Sequence, residues 1–399
     1  MAGCLVLPSP EDRLSWALER RVEAGSPLGD GQHATVVFDV GYTAWTVTID
    51  GAHMTLDPGR VPHPHATVHA DAVTLAAIVE GTESGVDAFL DGRLTIRGNL
   101  ALVLKLEGVD YPERPTRFPR ARTVRPLDLE TFYLEAGAGP PVVLLHGLGA
   151  TNASMLPTLA ELARDHRVLA PDLPGFGDSA KPVQSYDPAF YARWLTAFLD
   201  AVGVQRADVI GNSMGGRIAI ELALAAPARV GKLGLFAPSL AFKRFRGFTP
   251  LVRLIAAEMS AIPMRAPRAL VLGVLRGLFS DPARLHDAWY AAAADEFARV
   301  FATPRGRIAF FSAARQIYLE EAHGESGFWE RLPSLACPAL FLWGDRDRLV
   351  PARFARHVTA ALPHARSVVI ADCGHVPQFE HPAHTHALVR EHFGRPRPR

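Results

Sequence analysis

A serine, a histidine and two aspartates are the residues of this chain whose types and spacing suit covalent catalysis. Ser213 lies in Gly211-Asn212-Ser213-Met214-Gly215. The apolar run Ala207-Asp208-Val209-Ile210 precedes it, and the helix-like run Arg217-Ile218-Ala219-Ile220-Glu221-Leu222-Ala223 follows. The order predicts strand, sharp turn and helix, with the serine at the apex. Glycines two residues away on each side remove side chains that would collide with the strand and helix. The hydroxyl then sits at a helix N-terminus, where backbone N–H groups face developing negative charge. A serine hydroxyl is a poor nucleophile at neutral pH and needs a base. Histidine suits that task because its ordinary pKa is near 6.5, and a buried carboxylate would fix its tautomer. His375, in Cys373-Gly374-His375, and the nearby pair Asp345 and Asp347 are the candidates.

These groups need a scaffold that gathers them. From Pro141 onward, strand-like and helix-like stretches alternate, and the apolar runs are too continuous for half-exposed strands. That pattern predicts an α/β fold with a mostly parallel sheet covered on both faces. The expected strands are Val142–His146, Val168–Leu173, Val209–Ser213, Leu233–Phe236, Ala339–Trp343 and Ser367–Ala371. Helices are expected to begin near Ala153, Pro188, Gly215, Ala352 and Pro382. The polar candidates cluster at the C-terminal ends of the strands, where open α/β sheets bind ligands.

The blocks His146-Gly147-Leu148-Gly149, Asp172-Leu173-Pro174-Gly175-Phe176-Gly177, Gly211-Asn212-Ser213-Met214-Gly215, Trp343-Gly344-Asp345-Arg346-Asp347 and Gly374-His375 follow one another in order. Over about residues 125–394 the sequence resembles the α/β-hydrolase family. The resemblance implies a catalytic triad of Ser213, Asp347 and His375, with Asp347 rather than Asp345 at the family's acid position. It also implies an oxyanion hole made by the backbone N–H groups of Leu148 and Met214. His146, Asp172 and Ser179 read as loop-bracing residues. Asn212 reads either as lining the site or as supporting the turn. No metal or organic cofactor is required for this chemistry.

An insertion from Pro238 to about Arg331 matches the helical cap of the family, with helices expected at Leu251–Ala261, Arg268–Phe279 and Asp287–Phe301. Phe242, Phe245, Phe248, Leu251 and Trp289 are candidates to line an apolar substrate pocket. Phe242 and Trp289, with Asn212, are the residues singled out for substrate binding. Arg244, Arg246 and Arg253 read as a solvated face. The expected activity is serine hydrolysis of an ester, thioester or lactone with an apolar part. Gly211-Asn212-Ser213-Met214-Gly215-Gly216 is also the form seen in carbon–carbon bond hydrolases of the meta-cleavage type. Those often carry tryptophan directly after the histidine, where this chain has Val376. A cofactor-free haloperoxidase or an acyltransferase would use the same triad. A dehalogenase would need an aspartate at Ser213.

The stretch Tyr111-Pro112-Glu113-Arg114-Pro115-Thr116-Arg117-Phe118-Pro119-Arg120 is rich in proline and arginine and predicts an extended connector. Three parts follow: residues 1–111, a linker over 112–124, and a second domain over 125–399 with its cap at about 238–331. The first part alternates strand and helix signals, and two blocks are distinctive: Ala66-Thr67-Val68-His69-Ala70-Asp71 and Asp91-Gly92-Arg93-Leu94-Thr95-Ile96-Arg97-Gly98. Over about residues 10–110 it resembles the sterol-carrier-protein type of lipid-binding domain. The resemblance implies a small α+β fold and a fatty-acyl or sterol-like ligand. A carrier whose hydrolase fold is inert is thus an alternative from a different class. His63, His65 and His69 lie in a proline-rich surface loop or beside it and do not read as a metal site.

Composition narrows the partners. The 399 residues are 48% hydrophobic and 21% charged, with a formal net charge of +1. That balance gives no reason to expect nucleic acid or an anionic membrane as a partner. Cys4, Cys337 and Cys373 lack zinc or redox spacing. No signal-peptide pattern and no bilayer-length apolar run is evident, so a cytoplasmic location is expected.

Overall fold

Two sheets organise the chain, each built where apolar residues alternate or run together. The computed structural model describes residues 8–28, 31–107, 115–241, 266–324 and 327–394. It divides into two units: residues 1–121 with 286–295, and residues 122–285 with 296–399.

In the first unit, helix α1 (Pro10–Glu23) starts at Ser9, whose hydroxyl accepts from the backbone of Asp12 in a capping box. Its buried face carries Leu14, Ala17 and Leu18. A five-stranded sheet follows the order β3-β2-β1-β4-β5. Its strands are β1 (His33–Asp39), β2 (Ala44–Asp50), β3 (His53–Pro58), β4 (Ala66–His69) and β5 (Thr95–Gly98). β1 pairs antiparallel with β2 and parallel with β4. Helices α2 (Ala72–Val79), α3 (Gly85–Leu90) and α4 (Leu100–Glu107) complete the unit. Leu100, Leu102, Val103, Leu104 and Leu106 of α4 are all buried, so this helix is apolar on more than one face.

The second unit holds an eight-stranded sheet in the order β13-β12-β11-β10-β8-β9-β7-β6. β6 (Arg120–Val124) lies at one edge, inside the stretch that composition marks as a connector. β7 (Thr131–Ala136) runs antiparallel to β9 (Arg167–Pro171). β8 (Pro141–Leu145), β10 (Ala207–Asn212), β11 (Val230–Phe236), β12 (Ala339–Gly344) and β13 (Arg366–Ile370) are parallel to their neighbours in the run from β9 to β13. Every residue of β12 is buried, as the continuous apolar run requires of a central strand covered on both faces.

The helices around this sheet are α5 (Leu156–Leu162), α6 (Pro188–Ala201) and α7 (Met214–Ala225). Between β11 and β12 come α8 (Arg268–Gly277), α9 (Asp287–Phe301), α10 (Pro304–Leu319) and α11 (Phe328–Arg331). After β12 come α12 (Ala355–Ala361), α13 (Pro377–Glu380) and α14 (Pro382–Phe393). Trp194, Phe198, Phe236, Phe341 and Trp343 are among the largest fully buried side chains and fill the space on the sheet. The observed mostly parallel sheet, with a helical insertion after β11, is the α/β arrangement expected from sequence.

Candidate active site

β10 ends at Asn212 and α7 begins at Met214, leaving Ser213 alone at the turn. Its backbone has φ 54° and ψ −115°. A non-glycine residue held there costs on the order of 1–3 kcal/mol, so the surroundings must over-determine it. They do. The Ser213 N–H donates to Phe236 O at 2.9 Å, and its carbonyl accepts from Ser239 N at 3.0 Å and Arg217 N at 3.2 Å. A Cβ on Gly211 would run into the backbone of Gly215 and Gly216, and one on Gly215 into the carbonyls of Leu145 and His146. The two glycines are therefore demanded by contact between strand and helix.

His375 follows β13, and its Nδ1 lies 2.8 Å from Asp347 Oδ2. Both side chains are sealed from solvent, at 5% and 0% exposure. The other oxygen, Asp347 Oδ1, accepts from the N–H groups of Leu349 and Val350, each at 2.8 Å. The carboxylate is thus fixed by its own loop and presents one oxygen to the imidazole. That acceptor assigns the proton to Nδ1 and leaves Nε2 with a lone pair for general-base work. Asp345 is exposed, and its Oδ1 accepts from Cys373 N at 3.1 Å. It braces the histidine loop from outside, and Asp347 is the carboxylate brought to the imidazole.

Asn212 is buried and donates its amide to Phe236 O at 3.0 Å and to His375 O at 3.1 Å. One amide bond ties the serine turn to the end of β11 and the other ties it to the histidine loop. Of the two roles open to Asn212 in sequence, this geometry supports bracing.

The loop after β8 passes close to the serine: a Cβ on Gly147 would stand 3.4 Å from Ser213 Cβ. Leu148 beside it is half-buried, and Met214 is buried. His146 holds this loop. Its Nδ1 bonds Gly147 O at 2.8 Å, and its Nε2 accepts from Leu173 N at 2.9 Å. Complete burial pushes its pKa down to about 4, so the ring is neutral. Asp172 accepts from Asn152 N and Asp178 N, each at 2.8 Å. Burial pushes this carboxyl up to about 7 against the pull of those two bonds. Ser179 Oγ donates to Asp172 O at 2.7 Å and accepts from Phe132 N at 3.0 Å. All three are engaged in loop architecture.

Two cap phenylalanines reach this loop, and sequence reasoning does not single them out. A Cβ on Gly149 would meet Phe310 at 3.0 Å and Phe297 at 3.1 Å. The Phe297 and Phe310 rings are T-shaped at 5.7 Å, and Phe301 stacks on Phe297 at 5.2 Å. The spacing of Phe297 and Phe301 by four residues on α9 is the signal that would have placed them on one helix face. Phe242 falls outside the described residues, as do Phe245, Phe248, Leu251, Arg244, Arg246, Arg253 and the expected helix Leu251–Ala261. Trp289 lies on α9. It belongs to the first unit, where its buried ring lies 4.2 Å from that of Phe89. An indole of this area is stabilised by such apolar packing.

Among the described residues, no group of three or more histidine, cysteine, aspartate or glutamate side chains is arranged to hold a metal ion. No helix among them is long and apolar enough to cross a membrane.

The family model described as the alpha/beta hydrolase fold matches residues 140–382. This chain belongs to the α/β-hydrolase family. Residues 17–109 match the model of the SCP-2 sterol transfer family. The α/β-hydrolase is 30% identical over 324 residues to the dihydrolipoyllysine-residue acetyltransferase component of an acetoin cleaving system from Pseudomonas putida, covering 80% of each chain. It is 31% identical over 270 residues to 2-hydroxy-6-oxononadienedioate/2-hydroxy-6-oxononatrienedioate hydrolase 1 of Dechloromonas aromatica, covering 64% of this chain and 87% of that one. The crystal structure of a bacterial membrane phospholipase A superposes with a TM-score of 0.58 at 29% identity, covering 69% of this chain and 86% of that chain. The proteins it resembles are thus named as an acetyltransferase component, a hydrolase and a phospholipase A.

Proposed function

We propose that this α/β-hydrolase is a serine hydrolase that cleaves an ester, thioester or lactone of an apolar substrate. The observation that carries the reading is the 2.8 Å contact of His375 Nδ1 with the sealed Asp347 carboxylate. It accompanies a serine held in strain at the helix N-terminus. Ser213 Oγ attacks the carbonyl carbon while its proton passes to His375 Nε2. The resulting oxyanion is stabilised by the backbone N–H groups of Leu148 and Met214, a contribution of about 3–4 kcal/mol per donor in such sites. The C–O or C–S bond breaks and the leaving group takes the proton from His375. Water then attacks the acyl-enzyme, giving its proton to His375. Ser213 departs with that proton, and the free acid is released. No metal or organic cofactor enters these steps.

The SCP-2-type domain makes an acyl lipid attractive as substrate. A fatty-acyl or sterol-like ligand captured there would be held at high local concentration on the same chain as its hydrolase. The apolar α4 and the phenylalanines over Gly149 suit an apolar ligand and an apolar acyl or alcohol part, respectively.

Carbon–carbon cleavage of a vinylogous diketone is the second reading. Its support is the likeness to the Dechloromonas aromatica hydrolase and the shared Gly-Asn-Ser-Met-Gly-Gly form at 211–216. Val376, in place of the expected tryptophan, favours the ester reading. Steady-state hydrolysis of p-nitrophenyl esters from acetyl to palmitoyl, with Ser213→Ala as control, tests the proposal. Activity that vanishes in the control supports it, and the chain-length profile sizes the pocket. Turnover of a vinylogous diketone without ester turnover would establish the second reading. A Ser213 that no fluorophosphonate labels would leave a carrier.

A further inference from the structure

Glu380 lies on α13, five residues beyond His375, with its side chain wholly buried. Its two oxygens serve two different segments. Oε2 accepts from Gly374 N at 2.7 Å, the residue before the histidine. Oε1 accepts from Ser280 N at 2.7 Å, from Asp281 N at 3.1 Å and from the Ser280 hydroxyl. Ser280 and Asp281 belong to the insertion that follows β11, just after α8.

The histidine loop is bound to the same segment by other groups. His375 N donates to Leu278 O at 2.6 Å. Arg284 Nη1 donates to Asp372 O at 2.7 Å, and the Ser280 hydroxyl also contacts Asp372 O. A Cβ on Gly374 would run into Leu278 and Phe279, so the two backbones are in direct contact. The general base is therefore seated on the cap as well as on the sheet. A buried carboxylate that bridges two loops with four accepted bonds is costly to disturb, because each donor released indoors is left unsatisfied.

We propose that Glu380 is a positioning residue. It locks the loop of His375 onto cap segment 278–281 and so sets the imidazole relative to Ser213. This rests on the serine-hydrolase reading above. Cap and catalytic base form one mechanical element, and a displacement of the cap at Ser280 is felt at His375. A misplacement of about 1 Å at a reacting group lowers turnover by about 100-fold, which sets the expected scale.

Glu380→Gln tests this directly, because every bond to Glu380 is accepted. The amide must turn its –NH2 either to Gly374 N–H or to Ser280 N–H, and one end is released. We expect kcat for a p-nitrophenyl ester to fall about 100-fold with KM changed less than about threefold. The low-field proton NMR signal of the His375–Asp347 hydrogen bond should shift or broaden. Ser280→Ala, which removes only a hydroxyl, should move both readouts in the same direction by about tenfold or less in kcat, and it decides the matter should Glu380→Gln not fold. Parental kcat and an unmoved low-field signal in the folded variants, accompanied only by a lower Tm, would overturn the proposal and leave Glu380 a purely structural tie. The NMR signal needs no substrate. A parent enzyme inert to esters would sink the ester-hydrolase reading while the signal still judges Glu380.

Discussion

Replacing Asp347 by asparagine should cost about four orders of magnitude in kcat, while the same change at Asp345 should cost less than about tenfold. The contrast follows from hydrogen-bond direction. Asp347 Oδ1 accepts from two backbone N–H groups, so an asparagine there must put its amide oxygen in that place. Its –NH2 then faces His375 Nδ1, 2.8 Å away, and donates to it. The ring must accept at Nδ1, which moves its proton to Nε2, the atom that has to take the proton of Ser213. The base is lost without any change of shape. A factor of about 10⁴ corresponds to about 5.4 kcal/mol of transition-state stabilisation at 1.36 kcal/mol per decade. At position 345 an asparagine oxygen can still accept from Cys373 N, and the exposed side chain has water for the rest. The assay is kcat on the best p-nitrophenyl ester, with the rate of fluorophosphonate labelling of Ser213 as a second reading of base strength. Equal losses in the two variants, or more than a tenth of parental activity in Asp347→Asn, would refute the assignment.

Other outcomes follow from the same geometry. Gly215→Ala should destabilise the fold by more than about 3 kcal/mol, read as a lower urea midpoint, because its methyl meets backbone carbonyls that cannot retreat. Asn212→Ala should cost about 1–3 kcal/mol and lower kcat, since it takes the Asn212 donor from His375 O and leaves Phe236 O with the Ser213 N–H; unchanged stability would show the brace to be redundant. Burial lowers the pKa of His146 and of His386 to about 4, from 6.5 in the unfolded chain. The unfolded state therefore binds more protons between pH 6.5 and 4. Stability is full above that window and falls as pH drops through it, by about 1.4 kcal/mol per pH unit for each ring. Asp172, raised to about 7, works oppositely by losing stability as pH rises toward 7. His386→Gln should remove one of the two histidine slopes from a urea-midpoint series between pH 4 and 7.

Much of the site is legible in sequence because it is local. The serine turn is encoded within five residues, and Asp347 sits three residues past the end of a fully buried strand. The α6 and α9 boundaries follow from Pro188 and Asp287, read from composition and periodicity. Part of what escaped the pattern has little apolar signal or is long-range. β3 and β6 are edge strands with few buried residues, so neither shows an apolar run. Helix α10 announces itself by Thr303 and Pro304, a cap and a first-turn proline, more than by periodicity. Glu380 looks in sequence like a surface glutamate of a short helix. Only the folded chain brings Ser280, 100 positions earlier, to its carboxylate. The choice of Asp347 over Asp345 comes from the family resemblance, since spacing alone does not specify loop backbone direction.

The two bonds of His146 have a use beyond holding a loop. Its Nδ1 contacts a carbonyl, and the Nε2 lone pair is taken by an N–H in a fully buried setting. An imidazole-acylating reagent has no lone pair to attack there while the loop is closed. Modification of this ring, followed by peptide mass spectrometry, would count openings of the segment behind Gly147 and Leu148. His146 is thus a built-in clock for local unfolding of the loop after β8, and the dependence of its labelling rate on urea would give the free energy of that opening separately from the stability of the whole chain.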